Sequence, residues 1–251
     1  MKSPTGYTLF EGASELDGAP IVVIAIVESS NRKTGNMVQT YILRSDIAPT
    51  EALATGDDES VCGQCTARPF LGGHCYVNVG QGPLSVWRAY KRGNYPRNPD
   101  DAKLRSSGRM VRLGTYGDPM AAPASVWLDL LSHSQGHTGY SHQWLNPDVS
   151  DVQRELVMRL CMASADSEWE GEMSRALGFR SFRVRTSAQS VSTGEFICPA
   201  SDEAGKRRTC ETCGACNGQR ANNAASPVII AHGAKASRYI RIHSVSAGER
   251  A

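Results

Sequence analysis

No stretch of this sequence is apolar enough to cross a membrane. The longest apolar run covers residues 20–27, whereas a spanning helix needs roughly 20 apolar residues. The N-terminal MKSPTGYTLFEG lacks an apolar h-region, so a cytoplasmic location is the expectation. Charge of one sign is lacking too. Lys and Arg number 27 against 25 Asp and Glu, a formal net charge of +2, which excludes a global field for polyanions. Internal repeats and low-complexity segments are missing, which excludes a solenoid. Basic residues cluster only locally, at Arg88, Lys91, Arg92 and Arg97 and again at Lys206, Arg207 and Arg208. Such clusters read first as solvated faces.

What is present is a chain of 251 residues, 40% apolar and 21% charged, enough to build a sizeable core. Residues 21–28 form a continuous Val- and Ile-rich run of strand length, the pattern of a strand buried on both faces. Further strands are expected at 39–45, 74–79, 110–116, 137–144, 160–164 and 179–185, then in EFICP and PVIIAHG. Helices are expected at 83–92, from Pro123, after NPDVSD, and from Asp166 to the stop at Gly178. Residues 53–73 and 94–101 read as loops. The alternation of strand and helix across 74–185 predicts a parallel sheet with helical crossovers. Polar groups collect just after strands, and a barrel would bring such loops to one face. The expected fold is therefore α/β, a single (β/α) barrel-like domain over 1–251, irregular or incomplete.

Eight cysteines are the next feature. In a reducing compartment, closely spaced cysteines read as metal ligands or redox pairs rather than disulfides. The spacing Cys198-x11-Cys210-x2-Cys213-x2-Cys216 lets four thiolates reach one ion, with Gly214 and Gly218 relaxing the turn. A closed four-thiolate shell suits structural Zn²⁺, and its softness also admits an iron–sulfur cluster. Residues 198–218 are thus read as a zinc knuckle inserted in the domain. A second set, Cys62-x2-Cys65-x9-Cys75 with His74 beside the last, offers another Zn²⁺ or iron–sulfur site. Cys161 lies in an apolar stretch and reads as core.

Two carboxylates follow strands directly: Asp118 in YGDP and Asp166 in MASADSE. Two positioned carboxylates can divide labour, one attacking a sugar C1′ and the other handling the proton of the leaving base. Asp166 also reads as a helix cap. Tyr140, His142 and Gln143, with Trp144, supply aromatic faces and an amide for a flat heterocycle. Arg183 and Arg185 share one strand face and need anionic partners, which could be Asp118, Asp166 or a phosphate.

The phrases CGQCTARPFLGGHCYVNVGQGPLSVWRAYKRGNYP, RLGTYGDPMAAP, GYSHQW, MASADSE, GFRSFRVR and CPASDEAGKRRTCETCGACNG, covering about residues 60–235, together resemble a family of phage and prophage gene products, a domain of unknown function. That family is distantly similar to the tRNA-guanine transglycosylase superfamily, in particular its phage branch that exchanges guanine in DNA for a 7-deazaguanine. The resemblance implies a (β/α) barrel, two catalytic aspartates, a C-terminal zinc site, DNA as partner and a free 7-deazaguanine base as co-substrate. Asp118 then matches the acid/base or base-recognition carboxylate, and Asp166 a second carboxylate and nucleophile. The superfamily's zinc motif is Cys-x-Cys-x2-Cys with a later His. Here it is Cys-x2-Cys-x2-Cys with an upstream Cys, leaving His232 surplus. Two other readings remain open. One is a radical-type iron–sulfur enzyme using Cys62, Cys65 and Cys75, although the usual spacing there is Cys-x3-Cys-x2-Cys. The other is a non-enzymatic zinc protein that binds nucleic acid through Trp87, Arg88, Tyr90, Lys91 and Arg92.

Overall fold

The apolar run near the N-terminus becomes the most deeply buried strand of the molecule, with residues 21–25 wholly inaccessible to solvent. A computed structural model describes residues 3–29, 34–219, 224–233 and 235–248. In chain order the first half contains β1 (Gly6–Ala13), β2 (Pro20–Ile26), β3 (Val38–Arg44), α1 (Pro49–Thr55), α2 (Glu59–Cys62), α3 (Gly82–Lys91), α4 (Pro99–Ser106), β4 (Met110–Tyr116) and α5 (Ala124–Leu131). The second half contains β5 (Gly136–Thr138), β6 (Tyr140–Ser141), α6 (Asp151–Leu160), β7 (Met162–Ala165), α7 (Glu168–Ala176), β8 (Ser181–Arg185), β9 (Glu195–Ile197), α8 (Cys210–Cys213), β10 (Ser226–Ile230) and α9 (Ala236–Gly248).

The described residues form two five-stranded sheets, ordered β1-β2-β3-β4-β5 and β6-β7-β8-β10-β9. β1, β2 and β3 pair antiparallel. From β3 onward every pairing in both sheets is parallel. Only Gly139 separates β5 from β6, and its backbone donates to the Cys216 carbonyl and accepts from Met162 N. A Cβ there would stand 2.7 Å from the Cys161 sulfur, so a glycine is what lets the strand kink from one sheet into the next. α5, α6 and α7 are the crossovers. Trp127 of α5 is fully buried and its indole donates to the Pro119 carbonyl at 2.8 Å. The expected mixed α/β architecture is the observed one.

Several local expectations differ. Residues 74–79 are not a strand. Cys75 N bonds back to the Ala67 carbonyl, and Gly73 packs so closely on Ala67 that a Cβ would lie 2.3 Å from its carbonyl carbon. The segment is therefore folded over the 65–68 turn and has no ladder to join. Residues 99–101, the end of the expected loop 94–101, instead open the helix Pro99–Ser106, because Asn98 caps Asp101 N and Pro99 occupies the first turn. Part of 53–73 is helical as well, in the end of α1 and in α2. The expected strand 137–144 is two short strands followed by a single 3-10 turn, Gln143–Leu145. Among the described residues no helix is long and apolar enough to cross a membrane.

Candidate functional site

The loops after β4, β6 and β7 converge on a cavity of about 240 Å³. Asp118, Tyr140, His142 and Asp166 all line it. So do all seven cysteines called as ligands: Cys62, Cys65, Cys75, Cys198, Cys210, Cys213 and Cys216. Residues far apart in sequence thus share one chamber.

The two carboxylates are held differently. Asp118 is buried. Its Oδ1 accepts from Met120 N at 3.0 Å and its Oδ2 from His142 N at 2.7 Å. Burial raises its pKa, opposed by these amides and by the Ser141 hydroxyl. Asp118 therefore ties the β4 loop to the β6 loop. Asp166 precedes α7 by two residues, but the cap is Ser167, which accepts from Glu170 N. The backbone of Asp166 donates to Glu170 Oε2 at 2.6 Å. Relieved of capping, its carboxylate faces Thr66 Oγ1 at 3.4 Å and His74 Nε2 at 3.9 Å.

His142 lies between the Cys65 sulfur and both aspartates. Burial opposes its charge, but its interaction and hydrogen bond with the Cys65 sulfur and the carboxylates of Asp166 and Asp118 prevail and hold its pKa up to about 10. Burial pushes the His74 imidazole the other way, below its ordinary value. Its ring meets Tyr239 of α9 edge-on at 4.6 Å, and the Tyr239 hydroxyl donates to the carbonyls of Asp166 and Val184.

Gln143 does not face the cavity. It is fully buried, donates to the Cys62 carbonyl at 2.9 Å and accepts from Gln64 N at 3.1 Å. It clamps the Cys62–Cys65 turn so closely that a Cβ on Gly63 would lie 2.2 Å from its oxygen. Arg183 and Arg185 also lie off the cavity, whose wall is formed by the alternate residues Phe182 and Val184. Their partners are Glu195 and Glu203 rather than Asp118, Asp166 or a phosphate. Three residues of the basic and aromatic stretch on α3 are likewise engaged. Trp87 donates to the Arg44 carbonyl, Tyr90 to Glu11 and Lys91 to the Ser45 carbonyl.

Two buried arginines, invisible as such in the sequence, shape the cysteine loops. Arg68 pairs with Asp58 at 2.7 Å, both side chains almost fully buried, and donates to the Gly63 carbonyl. Arg180 donates to the carbonyls of Ala215, Asn217 and Ala225. Gly218 packs under this second loop, where a Cβ would lie 2.2 Å from the Met158 carbonyl oxygen.

None of the eight cysteines is in a disulfide. Burial lifts the Cys216 thiol to about 12, helped by its neighbours Cys198, Cys210 and Cys213, while the Tyr140 hydroxyl hydrogen-bonds it in opposition. Burial likewise lifts Cys62, with Cys65 and Cys75 as neighbours. The spacing-derived groupings are thus spatial groupings, and both donor sets are soft. Yet among the described residues no group of three or more His, Cys, Asp or Glu side chains stands in an arrangement that could hold a metal ion. Binding would require the thiols to deprotonate and turn toward a common centre. Cys161 is plain core, fully buried.

Other cavity residues carried no signal in the sequence reading: Arg112, Tyr116 and Thr138. The signal available was the alternation in MVRLGTY, which sets Arg112 and Tyr116 on one face of β4. Comparison with protein-family models, with curated proteins and with solved structures finds no match.

Proposed function

We propose that this cavity is the active site of a base-exchange enzyme that replaces guanine in DNA with a 7-deazaguanine, built on an incomplete (β/α) barrel. The observation that carries the reading is the convergence of Asp118, Asp166, Tyr140 and His142 on one chamber with aromatic walls. Asp166 is the nucleophile, because its carboxylate faces the chamber while the helix start is capped by its neighbour. Its oxygen bonds C1′ of the nucleotide as the bond from C1′ to the outgoing base breaks. The outgoing base takes a proton from the site, and the incoming base then displaces the carboxylate. Asp118 positions His142 and Met120 through their amides, and its burial-raised pKa suits it to carry the proton. Tyr140, edge-on to Phe182 at 4.9 Å, gives the flat heterocycle an aromatic wall.

This mechanism makes a covalent intermediate. Full-length protein incubated with guanine-containing DNA and no acceptor base is expected to form an adduct that survives denaturing electrophoresis. Asp166→Asn should form none. An adduct undiminished in that variant would remove Asp166 from the role.

We further propose that Cys198, Cys210, Cys213 and Cys216 take one structural Zn²⁺ that locks the 198–218 loop against β5 and α6, and that Cys62, Cys65 and Cys75 form a second soft site for zinc or an iron–sulfur cluster. Neither takes part in the transfer step. Elemental analysis of anaerobically purified protein should give at least one zinc per chain, reduced by about one in Cys213→Ser. Protein free of zinc would overturn the first assignment. Iron with a visible absorption band at the second site would favour the radical-type reading instead.

A further inference from the structure

We propose that the β4–β5 wall of the cavity is a binding site for a small oxyanion, a carboxylate or phosphate group, held by Arg112 and Thr138. The two residues are register partners on adjacent parallel strands, and both line the cavity. Arg112 meets no carboxylate among the described residues. Its Nη2 donates to the Tyr76 hydroxyl at 3.2 Å, and its guanidinium carbon lies 5.5 Å from the centre of the Tyr140 ring. Neither contact neutralises a group that stays charged at any working pH. The buried arginines Arg68, Arg180, Arg183 and Arg185 direct donors at carboxylates or carbonyls, whereas the half-buried Arg112 donates to one phenol.

Thr138 supplies an independent observation. The residue is 1% exposed, and its Oγ1 is buried with no hydrogen-bond partner. Buried hydroxyls are normally satisfied, and Thr138 is a cavity-lining residue whose hydroxyl is not. A guanidinium fork beside a hydroxyl donor is a pairing that recognises planar or tetrahedral oxyanions through charge-assisted hydrogen bonds. The Tyr116 hydroxyl is also buried and unpartnered, giving the ligand a second polar contact along the wall. The ligand is therefore a small molecule with an oxyanion at one end and a flat body against Tyr140 and Phe182.

The inference stands apart from the base-exchange reading, because it concerns binding and is tested without turnover. Full-length protein is titrated calorimetrically with inorganic phosphate and, separately, with benzoate. One of them is expected to bind, and which one names the oxyanion. Arg112→Gln should weaken that binding about tenfold or more. Thr138→Val should weaken it less. Arg112→Lys, checked for fold by circular dichroism, keeps the charge and loses the fork, so it should retain phosphate better than benzoate. Three results would overturn the site: no binding of either ligand, binding unchanged in Arg112→Gln, or loss of bound metal from Arg112→Gln with the anion still bound. The last would make Arg112 the counter-charge of the neighbouring Cys210 and Cys216 thiolates.

Discussion

Asp166→Asn is expected to abolish base exchange, lowering turnover by about a thousandfold or more, while leaving the melting temperature close to that of the wild type. The two halves of this expectation have separate causes. Turnover falls because an amide oxygen cannot form the ester at C1′. Stability holds because the start of α7 is capped by Ser167, and the Asp166 backbone makes its own bond to Glu170. Asp118→Ala should behave differently. It removes the acceptor for the amides of Met120 and His142, and leaving such buried donors unmet costs about 1–3 kcal/mol each. Nucleoside analysis of the DNA together with thermal melting separates the two. A variant at Asp166 that melts early and a variant at Asp118 that melts normally would reverse the roles assigned here.

The second large effect concerns stability. Arg183 and Glu195 form a bidentate pair at 2.7 and 2.6 Å with both side chains 1% exposed. Glu195→Ala strands the guanidinium, which costs about 3–5 kcal/mol. For a chain of this size that corresponds to a fall in melting temperature of roughly 6–20 °C. Replacing both partners, as Arg183→Met with Glu195→Leu, should recover most of the loss, since two apolar groups leave no buried charge. The pair also sets a pH dependence. Burial alone would raise the Glu195 carboxyl, but hydrogen bonding from Arg183 and the Ser192 amide holds it below its ordinary value. A carboxylate depressed in this way contributes stability that is complete above the unfolded value of about 4.3 and is lost as pH falls through the folded value. Denaturant melts below about pH 4 should show that loss in the wild type and lack this component in Glu195→Ala.

The sequence revealed periodic elements better than facing. MVRLGTY is β4 residue for residue, and the helix expected at 83–92 is α3 within one position at each end. The segment HCYVNV alternates like a strand, but it lies over a turn with no neighbour to pair with, a tertiary fact no local pattern contains. Arg112 and Arg183 show the limit most clearly. Each sits in an alternating strand, one facing the cavity and the other facing Glu195. In a parallel sheet covered on both faces, period-two alternation groups residues by face without telling which face is which. The aspartates could be found because they follow strands directly, where α/β loops converge. Gln143 was legible as a polar residue at the same end of the sheet. Its use as a clamp on the Cys62–Cys65 turn depends on a glycine 80 positions earlier, Gly63.

The most direct test is the exchange of radiolabelled guanine into nucleic acid, which needs no knowledge of the natural 7-deazaguanine. Full-length protein with unlabelled DNA and free labelled guanine should transfer label into the DNA, and Asp166→Asn should transfer none. Label entering tRNA alone would keep the chemistry and change the partner. No label in either polymer, from folded protein, would contradict the account.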